Sequence, residues 1–339
     1  MVDNFSIKIK KPWLFLNAEW AHTMSPFFLN TLYGRPSKEN IKFHWNELEW
    51  EGLFFRNPVG TAGGLDKNGA NINAWWNLGA GFLEVGTVTP LPQAKNPGKT
   101  VDRDLPKQAL WNCLGFPNLG SSQLLTRLES YPKKERVTPI FVNIGKNRWV
   151  ENKDAHLDYM YLIEYFNHVA DAFVVNISSP NTKGLRDLFS KENFKSFMSP
   201  ICETALKLNS PPLLLKLSPD LTHEELENII SVTENMPIKG WILTNTTKWR
   251  SFDMNFDREK GGVSGLPLAP KSEKMLIDFQ NLLGSRRSKY LIVSTGGISS
   301  EKDALKRLQL GADLTQVYSS LIFQGPSFFK KLAKSQVIS

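Results

Sequence analysis

The chain has 339 residues, 41% of them hydrophobic and 22% charged, values that exclude a disordered polypeptide. Its two cysteines, Cys113 and Cys202, lie far apart and form no CxxC pair, which suggests a reducing compartment and no zinc site. The formal charge of +8 is compatible with nucleic acid, an anionic membrane or an anionic ligand, but no Lys/Arg block with interleaved aromatics singles out nucleic acid.

The first residues, MVDNFSIKIKKPW, lack an apolar signal core and a small-residue cleavage site, so export is not expected. No apolar run is long enough for a transmembrane helix. Asn17 can cap a helix whose Trp20, Ala21, Met24, Phe27, Phe28 and Leu32 form an apolar stripe. Pro26 either kinks that helix or, with Ser25 as cap, starts a second one. The stripe reads as core packing or, given the nearby Lys8, Lys10 and Lys11, as a face lying in a membrane interface.

Eight strand-like runs follow in order: NPVGTAGG from Asn57, GFLEVGT from Gly81, IFVNIG from Ile140, AFVVNIS from Ala172, LLLKLS from Leu213, GWILTNT from Gly240, LIVSTGG from Leu291 and LTQVYSS from Leu314. Their continuous apolar character suits strands covered on both faces. Helix signals lie between most of them. THEELENIISV opens with a capping-box pair, Thr222 and Glu225, and SSEKDALKRLQLGAD begins with Ser and acids and stops at Gly311. Eight such units predict a (β/α)₈ barrel. Residues 88–120, rich in Pro and Gly, form an insertion after the second strand and are expected to fold as a wall over the site.

Most runs end in small or polar residues: Thr87, Asn143, Asn176, Lys216, Thr244, Gly296 and Tyr318. In a barrel these ends and the loops beyond them build the active site. Lys216 ends an apolar strand, where lysine is rarely buried unless paired or used. A cation in a barrel mouth, with phosphate held after the last two strands, suits a flavin. Gly296 and Gly297 can turn backbone N–H groups toward an anion at a helix N-terminus, or simply make a tight turn. Gly63 and Gly64 permit close approach of a flat ring, and Lys67 is either a second cation for the site or a solvated surface residue.

The segments NPVGTAGGLDKNG, EVGTVTPLPQAKNP, NCLGFPN, VNIGKN, NISSPNTKGLRDL, LLLKLSPDL, TNTT, GGVSGLPL, STGGISS and QVYSSLIFQGP resemble those of the dihydroorotate dehydrogenases, in order and over nearly the whole chain. The resemblance implies a flavin-binding barrel that oxidises dihydroorotate to orotate in pyrimidine synthesis. The N-terminal extension, and serine at the catalytic position of the loop after the fourth strand, resemble the membrane-associated, quinone-using class 2. By motif position, Ser179 would be the general base, with Thr182 and a water near Phe116 as its proton route. Gly63, Gly64, Leu65, Asp66, Lys67, Thr87, Asn143, Asn176, Lys216, Thr244, Gly265, Gly297, Tyr318 and Ser319 would contact FMN. Dihydroorotate would lie against Lys67, Asn112, Cys113, Leu114, Gly115, Phe116, Asn176, Asn181, Asn245 and Thr246.

His22 and Arg103 match positions that hydrogen-bond a quinone carbonyl. Residues 1–45 would form an amphipathic segment covering a tunnel from the bilayer to the flavin, and residues 46–339 the catalytic barrel. The protein would sit peripherally on the cytoplasmic side of the inner membrane, with neither metal nor nucleic acid as partner. Three positions depart from the family pattern: Cys113 replaces a usual Arg, Gly63 a common Ala, and Ser294-Thr295 a Gly-Val-type pair. The alternatives are a related flavin barrel acting on another pyrimidine and a flavin-binding barrel without activity. Retention of Ser179, Lys67 and Lys216 weighs against the second of these.

Overall fold

The structure, a computed structural model, describes residues 11–36, 43–178, 191–257 and 259–337. After the helix α1 (Ala18–Tyr33) comes a short antiparallel hairpin, β1 (Leu48–Trp50) and β2 (Leu53–Phe55). The main sheet is built from β3 (Val59–Asp66), β4 (Leu83–Val88), β7 (Ile140–Ile144), β8 (Ala172–Asn176), β9 (Leu213–Leu217), β10 (Ile238–Leu243), β12 (Leu291–Thr295) and β13 (Leu314–Val317). These eight are the predicted runs, and they close into a parallel barrel in chain order. The helices α2 (Ile72–Leu78), α3 (Gly120–Glu129), α4 (Ala155–Phe166), α5 (Lys191–Lys207), α6 (His223–Thr233), α7 (Ala269–Leu283) and α8 (Glu301–Gln309) alternate with them. Beyond β13 lie α9 (Ser319–Gln324) and α10 (Phe328–Val337).

The double-sided burial that the apolar runs imply is visible as two separate cores. Phe82, Phe141, Val174, Leu214, Val293 and Leu314 face the barrel interior, joined from below by Phe55 of β2. The alternate residues Leu83, Val142, Phe173, Leu215, Trp241 and Ile292 pack outward against the helices. Phe55 meets Phe82 and Phe141 edge to face, with ring centroids 5.7 and 6.0 Å apart. This aromatic plug fills the N-terminal end of the barrel and leaves the opposite end open.

Local signals hold where predicted. Thr222 and Glu225 form a reciprocal capping box on α6, which buries Leu226, Ile229, Ile230 and Thr233. Such a cap contributes ~1 kcal/mol. The insertion supplies β5 (Val101–Asp104) and β6 (Ala109–Asn112), which pair with each other and, through β6, with β11 (Gly262–Gly265) to form a three-stranded antiparallel sheet. The participation of β11 is not visible in the sequence, since four residues beginning and ending in glycine carry little strand signal.

Asn17 caps α1 through its side-chain oxygen, which accepts from the N–H groups of Glu19 and Trp20. Of the two readings of Pro26, a second helix is excluded: α1 runs through it as one helix. Proline leaves the His22 carbonyl without its usual donor, and the Ser25 hydroxyl donates to that carbonyl at 3.1 Å.

Candidate active site

The open end of the barrel holds a cavity with about 1150 Å³ of atom-free space. All seven predicted strand-end residues line it: Thr87, Asn143, Asn176, Lys216, Thr244, Gly296 and Tyr318. Gly63, Gly64, Lys67, Asn112, Leu114, Gly115, Phe116, Asn245, Thr246, Gly297 and Ser319 also line it, so β6 and the insertion do form a wall over the mouth.

One side of the cavity is a network of amides and hydroxyls. Asn176 Nδ2 donates to Thr87 Oγ1 at 2.9 Å and to Asn143 Oδ1 at 3.3 Å. Asn245 Nδ2 donates to Ser178 Oγ at 3.0 Å, and that hydroxyl donates to Asn176 Oδ1 at 3.2 Å. From behind, the buried Tyr159 hydroxyl donates to the Asn176 carbonyl at 2.8 Å and fixes the end of β8. Ser179, Asn181 and Thr182, which the sequence places just beyond, lie outside the described residues.

The cations are held differently. Lys216, nearly buried, donates to Glu84 Oε1 at 2.8 Å and so forms an ion pair in the barrel floor. Lys67 sits deep among protein atoms but faces the cavity, and burial brings its ammonium down to about 8. Its neighbour Asp66 does not pair with it, because that carboxylate accepts the N–H groups of Ala70 and Asn71, each at 2.8 Å. Instead Lys67 Nζ meets His22 Nε2 of α1 at 3.1 Å. The Lys67 ammonium, with burial second, pushes the imidazole down to about 3, so His22 is neutral and accepts at Nε2.

Not every predicted residue faces the cavity. Leu65, Asp66, Cys113 and Gly265 are absent from its wall. Cys113 packs behind the wall with Trp111, Met254, Phe256 and Val263, so its small apolar side chain fills a core position. Arg103 donates to the backbone carbonyls of Leu14 and Leu16, which ties the segment before α1 to β5. Beyond β12, Ser299 and Ser300 give their N–H groups to Asp303 at 2.9 Å each. The expected free N-terminus of α8 is therefore capped internally, and the candidate cradle lies before it at Gly296 and Gly297. The buried Arg307, overlooked in the sequence, donates to the Gly296 carbonyl at 3.0 Å and to Ser272 Oγ at 2.8 Å, and so holds that turn.

These features fit a flat, anionic cofactor. Gly64 has a φ of +89°, and a side chain there would meet the Tyr318 ring at 3.7 Å. Gly297, with a φ of +73°, lies so close to Ala269 that a Cβ would approach its backbone nitrogen to 2.3 Å. Gln316 Oε1, in the cavity wall, is buried with no hydrogen-bond partner among the described residues, so a donor on a bound ring could reach it.

The N-terminal helix docks at this same rim. Glu19 accepts from Thr100 N and Oγ1, both at 2.8 Å, and from Lys95 at 3.2 Å. These bonds bring its carboxyl down to about 2. Trp13 Nε1 donates to the Ile322 carbonyl at 2.7 Å, and Leu14 is buried beside Leu105, Leu110 and Phe323. The predicted stripe points the other way: Phe27 is 63% exposed and Leu32 69%, with Trp20 and Phe28 also exposed. Among the described residues no core packing covers these four side chains, while Ala21 and Met24 of the same stripe are half-buried.

A closed (β/α)₈ barrel whose mouth gathers amides, two lysines and close-approach glycines defines a barrel enzyme. The chain belongs to the dihydroorotate dehydrogenase family, whose profile matches residues 47–336. A protein of Xanthomonas euvesicatoria pv. vesicatoria named dihydroorotate dehydrogenase (quinone) is 36% identical over 328 residues, spanning 94% of this chain and 92% of its own. One of the same name from Christiangramia forsetii is 39% identical over 299 residues, or 87% and 86% of the two chains. The crystal structure of Eimeria tenella DHODH in complex with ferulenol matches with a TM-score of 0.85 at 32% identity, covering 94% of this chain and 90% of that one.

Proposed function

We propose that this protein oxidises dihydroorotate to orotate at a bound FMN and passes the electrons to a membrane quinone. The single observation that carries the reading is the cavity itself, which Thr87, Asn143, Asn176 and Asn245 line together with Lys67 and Lys216. Dihydroorotate presents amide donors and carbonyl acceptors around one ring, which asparagine side chains match in both senses. Its carboxylate pairs with the cavity-facing Lys67, whose ammonium meets the neutral His22 at 3.1 Å. FMN, when bound, supplies the acceptor for the hydride leaving C6 of the substrate. Gly63, Gly64 and Gly297 would give it room, Lys216 would hold its ring, and the backbone around Gly296, Gly297 and Ser319 would hold its phosphate. Ser179, by motif position, takes the C5 proton, and Thr182 and Phe116 flank the route by which that proton leaves.

The electron acceptor is reached through α1. Burying a large apolar side chain is worth ~1.5–3 kcal/mol, and α1 forgoes this at Trp20, Phe27, Phe28 and Leu32 together. Such a patch on a docked helix fits a membrane interface, with Lys11 and the sequence-neighbouring Lys8 and Lys10 favouring anionic lipid. No described helix is long and apolar enough to cross a membrane. The association proposed here is a peripheral one, at the cytoplasmic face of the inner membrane. His22 and Arg103 stand at the inner side of this segment, at the approach to the cavity.

Turnover of dihydroorotate with a soluble quinone analogue, followed as orotate formation, tests the assignment. Steady orotate production with quinone and none with NAD⁺ is expected; no orotate with any quinone would refute it. The charge of Lys67 sets a pH dependence. An anion is held by the ammonium form, which the free protein loses as pH rises through about 8. Orotate affinity is therefore expected to be level below about pH 7 and to weaken by up to ~10-fold per pH unit above about pH 8. A binding constant unchanged up to about pH 10 would remove Lys67 from the carboxylate.

A further inference from the structure

Asp220 stands just beyond the end of β9, and the chemistry above makes no use of it. It does not line the cavity, yet three parts of the rim meet at its carboxylate. Oδ1 accepts from the Thr247 hydroxyl and, at 2.6 Å, from Lys271 Nζ in the first turn of α7. Oδ2 accepts the Lys248 N–H at 2.8 Å. The Asp220 N–H donates to Ser218 Oγ at 3.2 Å, which holds the residue against the strand it follows. Thr247 is wholly buried and exchanges both backbone hydrogen bonds with Val263 of β11, at 3.0 and 2.7 Å. The adjoining Gly262 is paired with Asn112 of β6. Thr247 thus joins two walls of the cavity, one carrying Asn245 and Thr246 and the other carrying Asn112.

We infer that Asp220 is a positioning residue that fixes the turn after β10, so that Asn245, Thr246 and Asn112 meet the bound substrate together. The inference rests on the dihydroorotate reading above. The chain leaves the barrel wall at Asn245, whose N–H donates to the Leu217 carbonyl at 2.9 Å. Beyond that anchor the Thr246 N–H donates to Asn245 Oδ1 at 2.8 Å and so decides which way the Asn245 amide turns. Thr246 keeps this place only while Thr247 is held. The two oxygens of one carboxylate take the Thr247 hydroxyl and the Lys248 N–H at once, which a hydroxyl or an apolar side chain there would not do. The ion pair with Lys271 is exposed on the lysine side and adds little. Thr244, on the flavin side of the same turn, is held separately: its N–H donates to the Thr295 carbonyl at 2.9 Å. Asp220 therefore acts on the substrate wall and leaves the cofactor wall alone.

The test is orotate affinity of the FMN-loaded protein, read with the anaerobic reduction of its flavin by dihydroorotate. Asp220→Ala is expected to weaken orotate binding ~10–100-fold, the usual cost of groups displaced by a fraction of an ångström to an ångström. The dihydroorotate concentration for half-maximal reduction should rise by a similar factor, while the limiting rate and the FMN content stay near those of the wild type. Thr247→Val, which removes the hydroxyl at nearly constant volume, is expected to weaken orotate binding in the same way, and Thr247→Ser to restore it. The double variant of Asp220→Ala and Thr247→Val should bind little worse than Asp220→Ala alone, because both changes break one link. Lys271→Ala leaves both bonds to the turn and is expected to bind orotate normally. An Asp220→Ala protein that melts at a lower temperature but binds orotate as tightly as the wild type overturns this inference alone. If Asp220→Ala does not fold, wild-type orotate affinity in Thr247→Val overturns it. FMN-loaded wild-type protein that binds no orotate overturns the dihydroorotate reading and this inference with it.

Discussion

Ser179→Ala is expected to slow reduction of the bound flavin by dihydroorotate by ~10²–10⁴-fold, the usual worth of a positioned general base. Orotate binding should stay near its normal strength, because the amide network of Asn143, Asn176 and Asn245 and the Lys67 cation remain. The reason for so large an effect is chemical. The C5 proton of the substrate is weakly acidic, and the neutral amides that hold the ring cannot accept it. Serine is itself a poor base near neutral pH, so it works only as the first member of a chain that carries the proton away. Cysteine at this position is expected to recover part of the rate, since a thiol gives up its proton more easily than a hydroxyl. Rapid-mixing absorbance of the flavin band under anaerobic conditions measures both variants, and reduction of Ser179→Ala at the wild-type rate would reject Ser179 as the base.

Replacing Trp20, Phe27, Phe28 and Leu32 together with Gln is expected to release the protein from anionic lipid vesicles and to abolish rapid reoxidation of the flavin by a long-chain quinone. These four side chains are exposed, so the substitution removes membrane affinity without creating a cavity in the core. Glu19, His22, Arg103 and the cap at Asn17 keep their partners, and the helix stays docked. Dihydroorotate should reduce the flavin at the normal rate, and a short soluble quinone should still reoxidise it. Removing residues 1–40 altogether is expected to give the same loss of long-chain quinone turnover. It should also weaken dihydroorotate binding, because Lys67 then loses its contact with His22. Vesicle sedimentation and quinone-chain-length dependence are the measurements. A four-site variant that sediments with vesicles and uses long-chain quinone as well as the wild type would rule out this face as the membrane contact.

The barrel was legible because most strands are largely apolar runs with a polar residue at or near the end, a pattern that double-sided burial and a site at the rim impose together. Thr87, Asn143, Asn176 and Lys216 could be assigned to the cavity on that ground alone. What the linear pattern concealed were pairings between distant positions. Glu84 sits in the middle of FLEVG with no local clue to its partner, which is 132 residues away. A signal was available, since a lone carboxylate and a lone lysine inside two apolar strands invite pairing. The contact between His22 and Lys67 spans 45 residues and depends on where α1 docks. Motif position assigns Asp66 to the flavin site, and its carboxylate serves the turn at Ala70 and Asn71. The internal cap of α8 was hidden in the same way. Ser299, Ser300 and Asp303 read equally well as an open helix start and as a closed one, and only their hydrogen bonds decide.

The most direct test of the proposed activity uses the purified, FMN-loaded protein and no other enzyme. Dihydroorotate added without oxygen should bleach the yellow flavin rapidly, with one orotate formed per flavin. A long-chain quinone in lipid vesicles should then restore the colour at once. A flavin that stays oxidised with dihydroorotate, yet bleaches with a chemical reductant, would contradict the assignment of this barrel as a dihydroorotate-oxidising enzyme.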